Sequence, residues 1–214
     1  MSHRNKIIFE NAGKKFGIDW VLKDFNFTFN PSCQVAILGP NGSGKSTLLQ
    51  MVAGYVQPSA GKVSFYDDDV LIEEENIFKH VSLAAPYLEL IEEYSLEEMV
   101  RFHFGFKNVI SGLNFNDVIE RSELSSSVNK QVKNFSSGMK QRLKLTLAIM
   151  SDTPLLLLDE PLSNLDEQGE IWYQQMLKDF SLERTVVVCS NMNVKEYGFC
   201  GEKIMLEKSL EFRV

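Results

Sequence analysis

The rhythm of apolar and polar positions changes twice along the chain. Up to residue 38 it is that of strands. Residues 6–9, 20–29 and 33–38 are rich in Ile, Val, Phe and Thr, and Asn30-Pro31-Ser32 supplies a turn. Val35-Ala36-Ile37-Leu38 is continuously apolar, the pattern of a strand buried on both faces. A glycine-rich stretch follows, and the pattern then predicts a helix over 46–54, closed by Gly54. The middle of the chain turns helical. Ser95 and Glu98 have capping-box spacing ahead of Met99, Phe102 and Phe106; a second helical stretch covers 116–122. A third runs over 138–150, with Met139, Leu143, Leu147 and Met150 on one face. Buried strands return at 154–158 and 185–189. Strands, a helical block, then strands again predict an α/β fold. Its core comprises about residues 1–85 and 151–214, with a helical subdomain at about 86–150.

Two stretches carry chemistry. Gly39-Pro40-Asn41-Gly42-Ser43-Gly44-Lys45-Ser46-Thr47 fits G-x-x-x-x-G-K-[ST], between a buried strand and an apolar helix. Glycines let the backbone curl so that its N–H groups face phosphate oxygens, and the helix start adds positive potential. Lys45 brings a mobile cation to the outer phosphates, and the Ser46 hydroxyl can ligate Mg²⁺. The loop predicts a nucleoside triphosphate ligand. The second stretch is Leu155-Leu156-Leu157-Leu158-Asp159-Glu160-Pro161, a strand delivering two carboxylates at its C-terminal end, where ligands of open α/β sheets sit. Asp159 is placed to hold Mg²⁺ and Glu160 to act as general base on the attacking water.

Phe135-Ser136-Ser137-Gly138-Met139-Lys140-Gln141-Arg142 resembles the signature motif of ATP-binding cassette (ABC) ATPases, and Ser163-Asn164-Leu165-Asp166 looks like that family's D-loop. With the phosphate loop and the acidic strand in order, the resemblance covers essentially the whole chain. It implies the ABC ATPase fold, a P-loop core with an antiparallel β-subdomain and a helical signature subdomain. It also implies a head-to-tail homodimer enclosing two ATP, each capped in trans by the partner's signature at Ser136, Ser137 and Gly138. Those residues open a helix whose free N–H groups suit a γ-phosphate, although the stretch alone reads first as a simple N-cap. The resemblance further implies Asp166 as the D-loop carboxylate and an aromatic adenine platform, Phe16 or alternatively Trp20.

Four positions depart from the family pattern. Ala85 or Pro86 stands where a glutamine normally reaches the metal; Ser137 and Met139 replace a glycine and a glutamine of the signature. Asn191 follows the strand over 185–190, where the family has a switch histidine. The three histidines, His3, His80 and His103, lie elsewhere and read as surface or packing residues.

Composition narrows the class. The 214 residues are 44% hydrophobic and 24% charged, the balance of a single globular domain. Twenty-two Lys and Arg against 29 Asp and Glu give −7, which argues against nucleic acid as a partner. Cys33, Cys189 and Cys200 are scattered without CxxC spacing, which fits a reducing compartment. No stretch reaches 18 apolar residues and the N-terminus has no signal-peptide core. The expectation is an ATP-binding and ATP-hydrolysing subunit, cytoplasmic and peripheral on the inner face of the membrane. It would drive separate transmembrane permease subunits. The alternative is a regulatory or non-transport ABC ATPase with weak hydrolysis.

Overall fold

The computed structural model describes residues 5–207; His3 lies outside them. Two sheets share the chain. The first is antiparallel, in the order β2-β1-β4-β5: β1 (Lys6–Phe16), β2 (Asp19–Phe29), β4 (Ala60–Asp67) and β5 (Val70–Leu71). The second is parallel, in the order β6-β7-β8-β3-β9: β3 (Gln34–Leu38), β6 (Val81–Ala84), β7 (Leu155–Asp159), β8 (Thr185–Ser190) and β9 (Glu202–Met205). β1 runs well past the apolar stretch at 6–9. Glu10, Asn11, Lys14 and Lys15 interrupt its alternation, but β1 is paired on both sides and absorbs the irregularity in register shifts.

Period-two alternation divides the core of the parallel sheet. Val35, Ile37, Leu155, Leu157, Val187 and Cys189 face one cluster, with α1 (Lys45–Val52) and the antiparallel sheet. Ala36, Leu38, Leu156, Leu158, Val186 and Val188 face the other, which includes residues of α2 (Leu96–His103), α3 (Phe115–Arg121), α4 (Ser137–Ile149) and α5 (Glu167–Phe180). A sheet covered on both faces explains why its strands are continuous apolar runs. α6 (Val194–Tyr197) completes the fold beside β8.

The helical block contains three helices, as the periodicity requires. Their caps follow the sequence: Ser95 and Glu98, and likewise Asn114 and Asp117, form reciprocal capping boxes. One reading needs correction. The helix opened at Ser95 does not carry Phe106: α2 ends at His103, and Phe102 and Phe106 are 40% and 72% exposed. α1 ends two residues before the left-handed Gly54. At the opposite edge of the sheet from the site, the buried Arg184 guanidinium donates to Ile149 O (2.6 Å), Thr153 O (2.7 Å), Thr153 Oγ1 (2.8 Å) and Ser82 Oγ (2.8 Å). Burial lowers its pKa to about 10.

Candidate functional site

Parallel register assembles the site. Leu38 pairs with Ser190 and Asp159 with Cys189, so the residues that follow these strand ends emerge together at one edge. From β3 comes the loop of Gly39, Pro40, Asn41, Gly42, Ser43 and Gly44, leading into Lys45, Ser46 and Thr47 of α1. From β7 come Asp159 and Glu160, and from β8 comes Asn191. A cavity of about 520 Å³ opens beside the loop, lined by Gly39, Pro40, Asn41, Asn191 and Met192 among others.

Two glycines of the loop are required by geometry. A Cβ on Gly39 would lie 2.3 Å from Leu206 O and 2.6 Å from Ser43 Oγ. Gly44, with φ 95°, would meet Val21 at 2.9 Å. That contact sets β2, and with it the β1–β2 hairpin, against the loop. Phe16 ends β1 at this hairpin, 53% exposed, with the Lys14 ammonium over its ring. Trp20 instead covers Gly13, where an added Cβ would meet its ring at 2.8 Å. Exposure therefore favours Phe16 over Trp20 as a stacking face.

Lys45 is 5% exposed, and its ammonium donates to Gly39 O (2.9 Å), Pro40 O (3.1 Å) and Asn191 Oδ1 (2.5 Å). The same amide donates from Nδ2 to Glu160 Oε1 at 2.5 Å. Asn191 thus bridges ammonium and carboxylate, its oxygen facing the cation and its nitrogen the anion. Glu160 has φ 45° and Met192 φ 71°, left-handed values that side-chain-bearing residues seldom adopt, and both flank this bridge. Ser43 Oγ is buried in the loop without a hydrogen-bond partner.

Asp159 is 3% exposed, and burial raises its pKa despite the opposing hydrogen bond from Ser46 and the nearby Lys45. A hydroxyl beside a buried carboxylate is a hard oxygen pair, the donor set that Mg²⁺ takes together with phosphate oxygens. Among the described residues no cluster of three or more His, Cys, Asp or Glu could hold a metal alone. The pair therefore fits a cation that arrives with phosphate.

The signature residues lie apart from this loop in their contacts. Ser136 Oγ caps α4 by accepting from Met139 N at 3.2 Å, and a Cβ on Gly138 would lie 3.0 Å from Asn164 O. Asp166 caps α5 through Gly169 N at 2.8 Å. Ser136, Ser137, Gly138 and the D-loop turn thus form one neighbourhood.

Three residues were missed by sequence reasoning. Tyr87 follows Ala85-Pro86; its phenol hydrogen-bonds Gln50, and burial, with help from Asp159, raises its pKa to about 12. Gln50, one turn after Ser46 on α1, was findable from that spacing. The Ala85 and Pro86 carbonyls accept from Lys144 at 3.4 and 3.2 Å, so neither occupies the absent glutamine's place with a polar side chain. The third is Glu196, buried on a four-residue helix with no motif to mark it. His103 is a packing residue, bonded to Ser151 Oγ at 2.9 Å and lowered to about pKa 4 mainly by burial. His80 accompanies Asn5 at 3.2 Å.

Comparison with known proteins gives one result. A family model described as "ABC transporter" matches residues 22–163. The Nod factor export ATP-binding protein I of Rhizobium etli is 28% identical over 94% of this chain, which spans 65% of that protein's length. The lipoprotein-releasing system ATP-binding protein LolD of Desulfotalea psychrophila is 35% identical over 80% of this chain and 81% of its own. Among solved structures, a dimeric bacterial ABC transporter cassette superposes with a TM-score of 0.79 at 25% identity, covering 94% of both chains.

Proposed function

The chain belongs to the ABC transporter family, and on that premise we propose that it binds ATP and hydrolyses it to energise a membrane transporter. The observation that carries this reading is the Lys45–Asn191–Glu160 bridge beside the Ser46–Asp159 pair. ATP lies along the loop, its outer phosphates taking the Lys45 ammonium from the loop carbonyls, with Phe16 under the base. Ser46 and Asp159 would hold Mg²⁺, which would neutralise phosphate charge. Water attacks the γ-phosphorus, its bond to the bridging oxygen breaks, ADP leaves, and Glu160 takes the water's proton. Asn191, already bonded to Glu160, holds that carboxylate in line.

Two chains are needed. Ser136, Ser137 and Gly138 engage their neighbours rather than the loop of their own chain, which leaves them to cap a nucleotide on a second copy arranged head to tail. The dimeric relative supports a second copy. Permease subunits are the second partner. Phe102 and Phe106 pack edge to face and are both exposed, as is Phe78, whose ring lies under the Lys107 ammonium; these exposed aromatics are the surface proposed for that partner, and relatives named for export and lipoprotein release support a membrane partner. No helix among the described residues is long and apolar enough to cross a membrane. In this proposal the chain sits on the inner, cytoplasmic face of those subunits, a reading supported by relatives named as ATP-binding proteins of export and release systems. A second reading, a regulatory cassette with weak hydrolysis, draws on Asn191, whose amide cannot take up a proton as imidazole does.

The test is Glu160→Gln with Mg²⁺-ATP. It keeps shape and removes the base, so the closed dimer accumulates in size-exclusion chromatography with light scattering, while the wild type turns ATP over. A monomer at every ATP concentration, with no wild-type turnover, overturns the proposal.

A further inference from the structure

Behind the Glu160–Asn191 pair stands a carboxylate that this hydrolytic scheme does not use. Glu196, on α6, is 4% exposed. Its Oε1 accepts from Leu162 N at 3.2 Å, and its Oε2 accepts from the Ser190 hydroxyl. Its carbonyl accepts from Tyr173 Oη at 3.0 Å, which fixes α6 against α5. Leu162 lies two residues after Glu160, and Ser190 lies immediately before Asn191. One carboxylate therefore grips both backbone segments that carry the base and its amide partner.

The grip acts where the backbone resists its path. Glu160 and Met192 both hold left-handed φ, at 45° and 71°, and neither is glycine. Such conformations persist only where surrounding contacts enforce them. Ser190 Oγ adds a second tie by accepting from Asn193 N at 3.1 Å, so the whole 190–196 loop closes on Glu196. Loosening either end would let the Asn191 amide drift from Glu160, and a displacement of that size is costly to a positioned reaction.

We propose that Glu196 is a positioning residue for hydrolysis that aims Asn191 at Glu160 through its bond to Ser190, the bond from Leu162 N anchoring the carboxylate itself. The proposal rests on the ATP-hydrolysis reading above. A residue that only stabilises the fold would slow every variant alike, whereas one acting through Asn191 loses its effect once that side chain is gone.

The experiment is a double-mutant cycle on the full chain, with kcat, ATP affinity and Tm measured for wild type, Glu196→Ala, Asn191→Ala and the double variant. Glu196→Ala is expected to lower kcat by about tenfold to a hundredfold with ATP affinity within about threefold. In the Asn191→Ala background the same change should cost less than about threefold. Glu196→Gln keeps an acceptor for Leu162 N and should restore part of the loss, and it is the scored variant if Glu196→Ala does not fold. Unchanged kcat in Glu196→Gln and Glu196→Ala overturns the proposal. So does an equal fold-loss in both backgrounds, or a kcat loss matched by lost ATP affinity. A full loss at Glu196 with none at Asn191 also overturns it. An inactive wild type would overturn the hydrolysis reading instead.

Discussion

Truncating Asn191 to alanine removes one donor to Glu160 and one acceptor from Lys45, both at 2.5 Å. Each partner is charged, and a hydrogen bond to a charged group contributes about 1.5–3 kcal/mol where water is excluded. Asn191 itself is exposed, which weakens both bonds while the site is open. The bond to Lys45 competes with phosphate, so its loss does not lower ATP affinity. What remains is the bond that aims Glu160, set at about 1.4–2.7 kcal/mol in the closed site, or roughly tenfold to a hundredfold in kcat. Steady-state phosphate release at saturating Mg²⁺-ATP measures it. The pH profile supplies an independent reading: wild type should show no ionisation near pH 6.5 from this position, whereas Asn191→His should introduce one. Equal turnover in wild type and Asn191→Ala, at equal Tm, would refute the reasoning.

Two further predictions concern stability. Arg184→Met should lower stability by about 3 kcal/mol or more, because Ile149 O, Thr153 O and two hydroxyls lose a buried donor; denaturant unfolding reads it, and a midpoint unchanged from wild type would contradict the network. His103 has a folded pKa near 4 against 6.5, so the unfolded chain binds the proton first as pH falls. Stability contributed by the neutral ring is present above pH 6.5 and is lost as pH falls towards 4, by at most about 3 kcal/mol. His103→Gln should flatten that slope relative to wild type, and identical pH profiles of Tm would contradict the burial argument.

Local sequence determined the pieces whose chemistry is contiguous. The phosphate loop was legible because glycines, lysine and hydroxyl must follow one another to wrap a phosphate. Asp159 and Glu160 were legible because a run of leucines can only be a buried strand delivering them to its end. The caps at Ser95 and Ser136 were readable for the same reason, since a cap bonds within three residues. What pattern alone could not carry was distance. Lys45 and Asn191 are 146 positions apart, and the parallel register of β3, β7 and β8 brings the ammonium onto the amide oxygen while the amide nitrogen meets Glu160. Ala60–Asp67 and Glu202–Met205 became strands because neighbours were there to pair with them, not because their own alternation demanded it. Phe102 and Phe106 had helical spacing, yet α2 turned Phe102 outward and ended before Phe106, since periodicity says which residues share a face but neither which face meets the core nor where the helix stops. Tyr87, Arg184 and Glu196 carry no spacing signal at all. Their partners lie on other elements, and a buried polar group acquires its meaning only when tertiary packing removes the water it would otherwise bind.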